Sequence, residues 1–110
     1  MAYDAELADR LRQLLHDEPG LSEKVMFGGL GFLVDGNMAV SASGQGGLMV
    51  RADPDLADAL LQEGTARPFE MRGRGMRGWL HLDAESVGTD DELRHWVGIG
   101  VTYARSLPGK

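Results

Sequence analysis

Cysteine is absent from this 110-residue chain. That excludes disulfides, thiolate nucleophiles and cysteine-ligated zinc, and it fits a reducing compartment. Long apolar runs are missing as well. No stretch approaches the roughly 20 residues a membrane helix needs, and the amino-terminal MAYDAELADRLRQLL carries acids where a signal peptide would be apolar. A cytoplasmic protein is therefore expected. Positive charge is scarce, with 11 Lys and Arg against 17 Asp and Glu and a net charge of −6. An acidic body repels nucleic-acid backbones at long range, so direct nucleic-acid binding is not expected. Histidine is limited to His16, His81 and His95, one in each of three separate stretches.

What remains is ordinary globular material: 43% hydrophobic and 25% charged residues. The length suits one domain, residues 1–110, with a core that needs no staples. Residues 3–17 have the spacing of an amphipathic helix, with Leu7, Leu11, Leu14 and Leu15 on one face until Pro19 and Gly20 stop it. Four short strands follow over residues 24–51. Asp35-Gly36 between FLV and NMAV marks a two-residue hairpin, and SGQGG a looser turn. Asp53 and Pro54 open a second helix with Leu56, Ala57, Leu60 and Leu61 as its buried stripe, and Gly64 closes it. A short strand near 68–71 and another at 78–83 come next. Thr89 and Glu92 then form a capping box for a last helix lined by Leu93, Trp96, Val97, Val101, Ala104 and Leu107. The order α-ββββ-α-β-α describes an α+β domain, about three helices packed on a central antiparallel meander.

Candidate chemistry is sparse. Gly28, Gly29 and Gly31 in FGGLGF have the look of a phosphate loop, but such a loop leads into a helix and this run leads into a strand. The glycines, with Asp35 and Gly36, are read instead as structural turns or points of close backbone approach. Gly73, Gly75 and Gly78 spell GxGxxG, yet the WLHLD that follows is a strand and no βαβ unit surrounds it. His81 and Asp83, with Glu85 nearby, have only a weak metal-ligand spacing. No serine stands in an elbow motif, so no catalytic residue is named and no enzyme is expected. No cofactor or metal is expected either.

Residues 67–77 form the one basic island, with Arg67, Arg72, Arg74 and Arg77 against Glu70. Arg72, Arg74, Arg77, Trp79 and His81 are the candidate partner- or anion-binding residues, and pairing of the arginines with the acidic body is the competing reading. Met26, Met38, Met49, Met71 and Met76 are numerous. Methionine suits adaptable surfaces, but their strand positions favour core filling.

The runs KVMFGGLGFLVDGNMAV, GLMVRAD, RGMRGWLHLD and ELRHWVGIGVTYARSLP together resemble the TfoX amino-terminal domain family. The likeness extends from about Leu7 to Pro108 and is most specific at Met26, Phe27, Gly28, Gly29, Asp35, Gly36 and Met38. It implies an α+β fold with an antiparallel sheet and a non-enzymatic regulatory or protein-interaction module without a known cofactor. In the bacterial competence regulators that carry it (TfoX is also called Sxy), a second, helical domain follows. Those proteins act with the cyclic-AMP receptor protein at promoters. This chain reads as a single-domain member with a protein partner, drawn from the transcription machinery, a receptor-protein regulator or a second copy of itself. The alternative is a small-molecule or anion-binding domain, or a cryptic enzyme, built on the segment from Arg72 to His81.

Overall fold

Helix caps and glycines punctuate the chain where its chemistry requires them. The computed structural model describes residues 3–26, 28–71 and 73–109. Asp4 accepts from the amides of Glu6 and Leu7 and starts α1, Ala5–Leu15. Asp53 does the same for α2, Pro54–Glu63, which ends on Gly64 at φ 89°. Thr89 and Glu92 form both halves of a capping box at the start of α3, Asp90–Ser106. Between these helices lie β1 (Leu21–Met26), β2 (Gly29–Val34), β3 (Asn37–Ala42) and β4 (Leu48–Arg51), then β5 (Arg67–Met71) and β6 (Arg74–Leu82). A 3-10 turn, Ala84–Val87, leads into α3.

All six strands join one antiparallel sheet in the order β1-β2-β3-β4-β6-β5. The first four form the expected meander. The β2–β3 turn has Asp35 at φ 52° and Gly36 at φ 83°, positive at both positions as a two-residue type I′ turn requires. The strands expected near 68–71 and at 78–83 pair as a hairpin, β5 and β6, and the second starts at Arg74 rather than at Gly78. A register shift on β3 skips Ala39 in the pairing with β2. It leaves Met38 and Val40 on opposite faces, since Met38 and Val40 belong to different apolar clusters.

The three helices share one face of the sheet. Leu30, Phe32, Val40, Leu48, Val50, Leu80 and Leu82 from the strands form one cluster with Leu7 and Leu11 of α1, Ala57 and Leu60 of α2, and Leu93, Trp96 and Val97 of α3. Buried Asn37 fastens the end of α3, its side-chain amide donating to the carbonyls of Ala104 (3.4 Å) and Pro108 (3.0 Å). Two helix-face expectations are corrected. Leu56 is 44% exposed rather than buried, because Ala57 and Leu60 carry the contact of α2 with the core. Leu107 ends α3 as its cap, in extended backbone, rather than lining its apolar face.

Candidate functional site

The expected arginine site is distributed over separate parts of the fold. Arg77 turns to the first turns of α2, donating to Asp58 at 2.9 Å and to Asp55 at 3.0 Å. Those carboxylates, Asp58 foremost, raise the pKa of its guanidinium further. Arg67 instead binds Asp83 at 2.6 Å. Arg74 is exposed and forms no ion pair among the described residues, and Arg72 lies outside them. Trp79 lies under a different cation: the Arg51 guanidinium stands 5.1 Å from its ring centre and 5.5 Å from that of Tyr103. Arg51 was not among the expected residues. The cross-strand pairing of Arg51 with Trp79 that reveals it depends on which strand β4 chooses as neighbour.

His81 shares the helix-free face with Met49, its partner across β4 and β6, and is 6% exposed. Its Nε2 stands 3.4 Å from Asp83, and its buried Nδ1 has no hydrogen-bond partner among the described residues. Burial, then the charge of Arg67, lowers its pKa, against the pull of Asp83. The Asp83 carboxyl is held below its ordinary value chiefly by the hydrogen bond from Arg67. Gln45, Arg67, Pro68, Glu70 and His81 surround an open hollow of about 210 Å³. Among the described residues no three His, Asp or Glu side chains converge as a metal site.

The glycines of FGGLGF divide between two tasks. Gly28 turns the chain with φ 76°. Gly29 and Gly31 lie inside β2 and are needed for space. A Cβ on Gly29 would stand 2.5 Å from the Ala42 carbonyl, and one on Gly31 would stand 2.6 Å from Cε and 3.1 Å from Sδ of Met38. The side chain of Met38 therefore lies across a strand that has been cleared for it.

Two further hollows have mostly apolar walls. On the outside of the helical layer, Leu56 of α2 and Ile99, Thr102 and Tyr103 of α3 line a groove of about 460 Å³, with Asp53 and His95 also on its walls. On the opposite face of the sheet, Met38, Met49 and Phe69 are buried against Met26, Met76 and Trp79 with no helical residue in the cluster. Met26 and Met76 belong to β1 and β6, four strand spacings or roughly 19 Å apart in a flat sheet. Both nevertheless line one crevice of about 20 Å³ together with Ser41 and Ser43. The sheet must curl to bring them together, and two features on its far side accommodate that curl. Gly78 has φ 89°, and the β5–β6 register breaks between Pro68 and Glu70.

A family model for the TfoX N-terminal domain matches residues 13–104, most of the chain. The chain belongs to the TfoX N-terminal domain family. Among curated proteins, none matches it. No helix among the described residues is long and apolar enough to cross a membrane.

Proposed function

We propose that this member of the TfoX N-terminal domain family is a non-enzymatic regulatory module. In this reading it binds a protein of the transcription apparatus, RNA polymerase or the cyclic-AMP receptor protein, through the groove between α2 and α3. The exposure of Leu56 carries the reading. It is a large aliphatic side chain left 44% exposed on a helix whose core contacts are already satisfied. With Ile99 and Tyr103 it gives an apolar floor of the kind that receives the apolar face of a partner segment. Asp53 stands on the groove wall, and nearby Asp55 and Asp91 are paired with Arg77 and Arg94. The net charge of −6 favours a partner that carries basic residues beside its apolar stripe and would speed its approach at low salt.

The test immobilises the chain and passes purified RNA polymerase and cyclic-AMP receptor protein over it at physiological salt. One of the two is retained by the wild type. Leu56→Arg and Ile99→Arg each weaken retention by roughly tenfold or more, as burying an unpaired charge at an interface centre does. Absence of binding to both proteins overturns the proposal, as does binding that neither substitution alters.

A further inference from the structure

We propose that the crevice on the helix-free face is a thioether site for a single soft monovalent cation, Cu(I). Its donors are the sulfurs of Met26, Met38, Met49 and Met76. The four residues come from four different strands and line one crevice, a grouping made by the fold rather than by one sequence motif. Two of them are rigidly held: Met38 and Met49 are 6% and 4% exposed. Met38 is also held by the space opposite Gly31, where any larger residue would strike its Sδ and Cε. Met26 and Met76 are only partly buried and also line the crevice.

The size of the space selects the class of occupant. About 20 Å³ is room for one water-sized particle, just above what a single water needs and far below what a metabolite fills. Chemistry then selects within that class. Thioethers are neutral, soft donors, which favour Cu(I) over hard divalent ions. The wall also includes the indole of Trp79, which serves as an optical reporter of the site. The chain contains no cysteine that would compete as a thiolate. Because a thioether carries no proton to lose, binding here is independent of pH across the range where histidine or thiolate sites compete with protons.

The experiment is an anaerobic titration of the whole chain with Cu(I) against a chromophoric Cu(I) chelator. Stoichiometry is read by native mass spectrometry and Trp79 emission in a Trp96→Phe background. The expected result is one ion per chain, quenching of Trp79, and an affinity unchanged between about pH 6 and pH 8. The double variant Met26→Leu/Met76→Leu, which conserves volume and leaves the folded state in place, binds roughly tenfold or more weakly. X-ray absorption on the wild-type complex shows sulfur scatterers only, and this measurement stands even where a variant fails to fold. Nitrogen or oxygen in the first coordination shell overturns the assignment. So does binding that survives the double substitution, or no binding in competition with the chelator.

Discussion

At the scale of single residues, His81 is the side chain whose setting most departs from the ordinary. Burial and Arg67 hold it toward its neutral form, so the folded chain binds fewer protons there than the unfolded chain does. Stability contributed by the neutral ring is present above the ordinary histidine value of 6.5 and is lost as pH falls below it toward the lowered folded value. Thermal melts between pH 7.5 and 5 should therefore show the midpoint dropping on the acid side, and His81→Gln should flatten that slope. An unchanged slope in the variant would place the acid sensitivity elsewhere. Asp83 is also shifted down, so its stabilisation persists until pH falls below its ordinary 3.8, which keeps the two titrations apart. None of this was visible in the spacing of His81 and Asp83. The spacing suggested two ligands, whereas Arg67, sixteen residues upstream of Asp83, occupies the carboxylate.

At the scale of elements, α3 contains a matched pair of glycines with opposite requirements. A Cβ on Gly100 would stand 2.4 Å from the carbonyl oxygen of Ala39 and 2.9 Å from Cγ1 of Val40, whereas Gly98 has nothing within 4 Å. Gly100→Ala should destabilise the fold by about 1–3 kcal/mol, because backbone has to move. Gly98→Ala should stabilise it by up to about 1 kcal/mol through helix propensity. Denaturant midpoints measure both, and equal effects at the two positions would contradict the packing described. The ends of elements were legible in sequence because their causes are local. Asp53, Pro54, Gly64, Thr89, Glu92 and the Asp35-Gly36 pair each act within a few residues of themselves. Exposure on a face was less legible. Leu56 fits the helical stripe by spacing, but only the tilt of α2 on the sheet decides that Ala57 and Leu60 take the core.

At the scale of the whole molecule, the sheet separates two apolar clusters, and each contains one tryptophan: Trp96 on the helix face and Trp79 on the other. Both clusters draw residues from β3, β4 and β6, so loss of either removes support from the other. In each single-tryptophan variant, Trp79→Phe and Trp96→Phe, emission of the remaining indole and far-UV circular dichroism should give coincident denaturation curves, and midpoints separated within one variant would show that the faces unfold independently. The second cluster was the least legible part of the chain. Strand periodicity places Met38 and Met49 in strands, but the curl that carries Met26 to Met76 depends on a bend at Gly78 and on the choice of β6 as neighbour to β4. The contact of Gly100 with Ala39 has a mechanical consequence. A helix that touches a strand backbone to backbone cannot slide along it, so α3 is a fixed reference and shear between helix and sheet is closed to this fold. Any rearrangement on engaging a partner has to be a hinge, for which Gly64, the left-handed residue at the end of α2, is one available joint.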